Sequence, residues 1–135
     1  MSDGQHSERI AGIVVTHGKL AEELVRTAEL IIGRQEELYA ISASDLCDER
    51  IIDEIRGIIA RRKGMHAIVF VDYFGGSCCI NSVRAVEHDV GVKIISGVNL
   101  PVLLAFATKR GTMPFEEMVD HIIRRGRESM KVIDL

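Results

Sequence analysis

The 135-residue chain predicts an α/β domain whose doubly wound, mainly parallel central sheet carries helices on both faces. Three observations lead there. Short apolar runs recur along the chain, each is followed by a segment of helical period, and the connections between them are brief. Apolar runs without polar alternation mark strands covered on both faces, which is the habit of parallel sheets. Parallel neighbours joined through a helix cross over in the right-handed sense and fold that helix back onto the sheet.

Residues 1–9 are polar and are expected to form a flexible tail, leaving 10–135 as the domain. Ile10 to Val15 reads as the first buried strand, stopped by Thr16-His17-Gly18. From Lys19 the period changes. Leu20, Leu24, Ala28 and Ile31 mark one helical face and Glu22, Glu23, Arg26 and Glu29 the other, with Gly33 as the stop. Leu38 to Ile41 is a second strand, and Ser44 or Asp45 caps a helix lined inside by Ile51, Ile52, Ile55, Ile58 and Ile59. Ala67 to Val71 is the third strand; after the turn Asp72 to Ser77 a helix follows with Ile80, Val83 and Val86 expected inside. Val92 to Ser96 is the fourth strand. Asn99 as N-cap and Pro101 in the first turn begin a buried helix to about Thr108. Phe115, Met118, Val119, Ile122 and Ile123 define the last amphipathic helix, and Val132-Ile133 is a candidate terminal strand.

Composition narrows the functional classes. With 47% hydrophobic and 27% charged residues the chain can enclose a core without disulfide or metal staples. A formal charge of −3 supplies no basic field for nucleic acid. The apolar stretch Val102 to Ala107 is far below the roughly 18 residues of a membrane span. The N-terminus has no apolar signal region, and three cysteines, two of them adjacent, suit a reducing compartment; a cytoplasmic location is expected.

Ligands of open parallel sheets collect beyond the carboxyl ends of strands, at the point where the strand order reverses. Three turns lie at that edge: Thr16-His17-Gly18, Asp72 to Ser77 and Gly97-Val98-Asn99. If the first and third strands are neighbours, the Asp72 carboxylate accepts the Nδ1 proton of His17. Nε2 then keeps its lone pair outward as a nucleophile for phosphorus. Gly18, Gly75, Gly76 and Ser77 bring backbone N–H groups and a hydroxyl to phosphoryl oxygens. Taken singly, each is equally a turn residue: His17 a solvated side chain, Asp72 a turn former, Gly75-Gly76 a tight bend. His6, His66, His88 and His121 stand apart, and no HExxH or CxxC spacing is present, so neither a metal site nor a cofactor is expected. Cys78 and Cys79 open a helix, where thiols are activated, but read first as small packing residues.

Gly12 to Gly18, Ala21-Glu22-Glu23-Leu24, Thr27-Ala28-Glu29, Val71 to Ser77 with Asn81, and Ile95 to Pro101 together resemble the EIIA domain of the mannose family of the bacterial phosphoenolpyruvate-dependent sugar phosphotransferase system. The similarity runs in order and spacing from Ile10 to the C-terminus. It implies a phosphocarrier: His17 takes a phosphoryl group at Nε2 from the histidine-containing phosphocarrier protein HPr and hands it to EIIB, which serves sugar uptake through membrane EIIC and EIID. It further implies that Asp72 orients the imidazole, that Gly75, Gly76 and Ser77 form the family's turn, and that a homodimer exchanges the segment Lys131 to Leu135. The chain departs from many relatives in carrying Cys78 and Cys79 after the Gly-Gly-Ser turn and Phe74 in place of tryptophan, changes expected to reshape the rim that meets EIIB. The absence of an attached EIIB also leaves room for a regulatory module whose phosphorylation state controls a partner. The phosphotransferase subunit of dihydroxyacetone kinase and a flavin-binding domain of flavodoxin type are further alternatives. The first usually has a different turn and extra domains, the second a hydroxyl-rich first turn.

Overall fold

The computed structural model describes residues 9–135. Of the expected tail, residues 1–8 lie outside that range, while Arg9 pairs with Glu36. In chain order the elements are β1 (Ala11–Thr16), α1 (Leu20–Ile32), β2 (Leu38–Ser42), α2 (Asp48–Arg61), β3 (Ala67–Val71), α3 (Ser77–Val86), β4 (Val92–Ser96), α4 (Leu100–Lys109) and α5 (Phe115–Glu128). A 3₁₀ turn over Ala43–Asp45 precedes α2, whose N-cap is Cys47 rather than the expected Ser44 or Asp45.

The strands form one parallel sheet in the order β2-β1-β3-β4. Alternate side chains of the central strands feed two cores. Val14, Ile68 and Phe70 pack with Val25 of α1, Leu103 and Phe106 of α4 and Met118 and Ile122 of α5. Ile13, Val15, Val69 and Val71 pack on the other side with Ile51, Ile55 and Ile58 of α2 and with Cys78, Cys79 and Val86 of α3. The sheet is therefore doubly wound, and its order reverses between β1 and β3, which puts the switch point where His17 and Asp72 leave their strands. Ile59 and Ile123 are half-buried flanks of the predicted faces.

Two helices are rolled relative to expectation. In α1 the buried residues are Ala21, Val25 and Ala28, whereas Leu20 and Ile31 face solvent and Leu24 is half-buried. One register step rotates a helix by about 100°, and the small Ala21 and Ala28 let this face lie close on the sheet. In α3 the inner face is Cys78, Cys79, Asn81, Ser82 and Val86, and Ile80 and Val83 point outward. The start of α3 follows a tight turn and sits against strand residues, so small side chains fit where isoleucine would not. Asn81 is satisfied there by donating to Asp48 Oδ1 at 3.0 Å.

Residues 130–135 adopt no strand, and Val132, Ile133 and Leu135 are exposed. Among the described residues the candidate terminal strand therefore has no pairing partner. Beside edge strand β4 runs a groove of about 560 Å³ lined by Ile94, Ile95, Val102, Ile123 and Met130. No described helix is long and apolar enough to cross a membrane.

Candidate functional site

Thr16 ends β1 fully buried and ties the turn to the helix after it. Its hydroxyl donates to the His17 carbonyl at 3.1 Å and accepts from the Ala21 N–H at 2.7 Å. That hydroxyl takes the place of an N-cap side chain, since Lys19 at the start of α1 makes no capping bond. Gly18 follows with φ +57°, a left-handed conformation that lets the chain turn sharply behind the imidazole.

Across the switch point Asp72 holds His17 twice. One carboxylate oxygen lies 2.8 Å from the His17 backbone N–H and 2.8 Å from Nδ1. The other accepts from the Tyr73 N–H at 3.0 Å. Burial pushes the Asp72 carboxyl upward, but the bonds from the His17 backbone and ring, the histidine's charge and the Tyr73 amide outweigh it and hold the group below the usual carboxylate range. An ionised Asp72 selects the Nδ1–H tautomer, so Nε2 bears the lone pair. Nε2 faces the Ser77 hydroxyl at 3.0 Å, and Tyr73 stacks on the ring with centroids 5.4 Å apart.

The Gly-Gly-Ser turn is built as the sequence predicts. Gly75 takes φ +85°, Gly76 is the N-cap of α3, and Ser77 opens the helix. A Cβ on Gly76 would stand 2.5 Å from the Tyr73 ring, so a side chain here would push that ring away from its place beside the His17 imidazole. The site thus unites His17, Gly18, Asp72, Gly75, Gly76 and Ser77. The third turn serves the architecture instead: the Asn99 side chain accepts from the Val102 N–H at 2.9 Å and donates to the Gly126 carbonyl at 3.1 Å.

Three contributors escaped the sequence. Thr16 and Tyr73 were legible only as turn residues, because their partners are a helix amide and a ring set by tertiary packing. Cys78 lies with Sγ 3.7 Å from His17 Nδ1. Burial, helped by the Asp72 charge, pushes its thiol up to about 11, opposite to the activation that a helix start would bring. Cys78 and Cys79 are both buried, so neither reshapes the outer rim; among the changes singled out in the sequence, Phe74 alone is exposed there. On the segments that carry the site, Leu20, Tyr73, Phe74, Ile80 and Val83 are apolar side chains open to solvent.

With this geometry in view, comparisons with known proteins converge. Residues 11–123 match the family model EIIA-man, described as PTS system fructose IIA component. The chain is 32% identical over 127 residues to the PTS system mannose-specific EIIAB component of Escherichia coli, with 92% of this chain and 39% of that protein aligned. It therefore spans well under half the length of these curated relatives. It is 23% identical over 113 residues to the PTS system sorbose-specific EIIA component of Lacticaseibacillus casei, covering 83% of this chain and 82% of that one. Among solved structures, phosphotransferase system component EIIA from Streptococcus agalactiae superimposes with a TM-score of 0.82 at 25% identity, covering 93% of this chain and 97% of its own. A family match over most of the chain, a doubly wound parallel sheet and a histidine at its switch point lead to one assignment: the chain belongs to the EIIA family of the mannose class of the sugar phosphotransferase system.

Proposed function

We propose that this chain is a phosphocarrier that accepts a phosphoryl group from phosphorylated HPr on His17 Nε2 and passes it to an EIIB protein. The observation that carries this is the hold of Asp72 on Nδ1 at 2.8 Å, which leaves the opposite nitrogen nucleophilic. The Nε2 lone pair attacks phosphorus in line with the donor's P–N bond, which breaks as the new one forms. The positive charge that develops on the ring lies against the ionised Asp72. Ser77 releases Nε2 and turns its hydroxyl toward a phosphoryl oxygen, beside the N–H groups that start α3. Gly18, Gly75 and Gly76 bring backbone close to that group without side chains in the way. Little covalent work is asked of the protein, since phosphoryl transfer depends mainly on alignment and charge.

Two further features support a relay between proteins. The His17 side chain is 44% exposed, Tyr73 lies against it, and Leu20, Phe74, Ile80 and Val83 on the neighbouring α1, turn and α3 are apolar and open to solvent, a surface suited to a macromolecular donor and acceptor. We also infer a homodimer that exchanges residues 131–135: β4 is a partly exposed edge, and an apolar groove lies beside it. EIIC and EIID enter only through EIIB.

The test is phosphate transfer from phosphoenolpyruvate through enzyme I and HPr. Wild type is expected to carry an acid-labile, base-stable label. His17→Ala carries none, and Asp72→Ala is slowed by roughly the 10²-fold to 10⁴-fold that positioned acid–base groups contribute. Labelling of His17→Ala at the wild-type level would refute the assignment.

A further inference from the structure

The phosphocarrier chemistry uses His17 and Asp72 and leaves the third group of their cluster unexplained. His17 Nδ1, an Asp72 carboxylate oxygen and Cys78 Sγ all lie within 4.8 Å of one another. A tetrahedral zinc-class ion, with nitrogen and oxygen donors near 2.1 Å and sulfur near 2.3 Å, spaces nitrogen and sulfur about 3.6 Å apart and nitrogen and oxygen about 3.4 Å apart. Sγ and Nδ1 already stand 3.7 Å apart. The Asp72 oxygen, at 2.8 Å from Nδ1, has to withdraw by roughly half an ångström to reach the ion-bound spacing. Thiolate, imidazole and carboxylate together favour a borderline-soft divalent ion over magnesium or calcium. Local spacing could not reveal this set, because its members come from the ends of β1 and β3 and the first turn of α3.

We infer that His17, Asp72 and Cys78 form a binding site for a zinc-class divalent cation, and that the bound ion and the phosphoryl group exclude each other at His17. The first half stands on the donor geometry alone; the second rests on the phosphocarrier role proposed above.

The exclusion follows from the ring. Neutral imidazole offers one nitrogen lone pair. An ion on Nδ1 takes it, and the proton formerly shared with Asp72 moves to Nε2, where it is donated to Ser77 Oγ, 3.0 Å away. Nε2 then has nothing with which to attack phosphorus. The Cys78 thiol releases its proton to solvent, so one proton leaves per ion bound, and thiolate and carboxylate balance the two positive charges. Exposure falls from the His17 side chain at 44% through Asp72 at 13% to the buried Cys78, so the ion reaches the sulfur past the imidazole.

The untagged chain is titrated with Co²⁺ and then Zn²⁺. Wild type is expected to develop a thiolate-to-cobalt charge-transfer band and tetrahedral d–d bands at one equivalent, both erased by Zn²⁺. Cys78→Ser and His17→Ala each weaken binding by at least the roughly 10-fold to 100-fold that even an outer-shell partner is worth, while Cys47→Ser and Cys79→Ala retain the bands. Labelling by isolated phosphorylated HPr is then compared with and without Zn²⁺. The ratio falls at least tenfold for wild type, recovers on chelation, and stays near one for Cys78→Ser; inhibition acting on the donor would affect both chains alike. Absence of the charge-transfer band in wild type, or its persistence in Cys78→Ser, overturns the site. Bands in a protein that takes no phosphate even without metal leave the site standing and refute the phosphocarrier role instead. Equal zinc inhibition of wild type and Cys78→Ser overturns the exclusion.

Discussion

At the scale of the residue, the proposed chemistry rests on one carboxylate with several bonds. Asp72 accepts from the His17 ring, the His17 amide and the Tyr73 amide, and these hold its pKa below the usual carboxylate range despite burial. A carboxyl whose folded value is depressed stabilises the fold at pH above its ordinary, unfolded value. That contribution is lost as pH falls through the lowered folded value. The stability difference between wild type and Asp72→Asn is accordingly expected to be largest near neutrality and to shrink below about pH 4, as read from denaturant midpoints across pH. A constant difference would mean that the carboxylate charge contributes nothing to the fold. His17 and Asp72 were legible in the sequence because each ends an apolar run at a polar turn. Their pairing, which spans 55 residues, was legible only on the condition that β1 and β3 are neighbours, and the strand order meets that condition.

At the scale of the element, α1 is launched by a threonine that belongs to the preceding strand. The Thr16 hydroxyl satisfies the Ala21 N–H in a fully buried position. Thr16→Val preserves shape and strand preference but orphans that donor, so it is expected to destabilise the fold by about 1–3 kcal/mol. It should also slow phosphoryl uptake by loosening the His17 turn; equal stability of variant and wild type in urea unfolding would remove Thr16 from this role. Helix existence followed from period, and Asn99 with Pro101 marked the start of α4 correctly, whereas α2 starts after Cys47 rather than at the expected Ser44 or Asp45. The rolled faces of α1 and α3 were hidden because both helices offer two apolar stripes. Small residues were chosen for the inside by how closely each helix must approach the sheet.

At the scale of the whole molecule, β4 and the last residues carry the next expectation. The exposed Val132, Ile133 and Leu135 and the groove beside β4 are complementary in apolar character. Deleting residues 131–135 is expected to convert a dimer into a monomer by light scattering, with circular dichroism unchanged; a monomeric wild type would refute the exchange. At the far end of the sheet, Arg110 shows how the chain is closed. Its guanidinium donates to the Ile10 carbonyl at 2.8 Å and the Glu37 carbonyl at 3.1 Å, and sits 5.0 Å from the centre of the Phe106 ring. A planar fork of donors suits that role better than an ammonium.

Alternation of buried strand and amphipathic helix, the turns that end the strands, and the residue types of the candidate site were determined by the sequence alone, because hydrophobic period and turn chemistry act between near neighbours in the chain. The tertiary structure alone decided the order β2-β1-β3-β4, the face each helix turns inward, the join of His17 to Asp72 and Ser77, and the burial of Cys78 beside the imidazole. Those depend on which distant surfaces can close on one another with their polar groups satisfied, and that condition is met only by the folded chain as a whole.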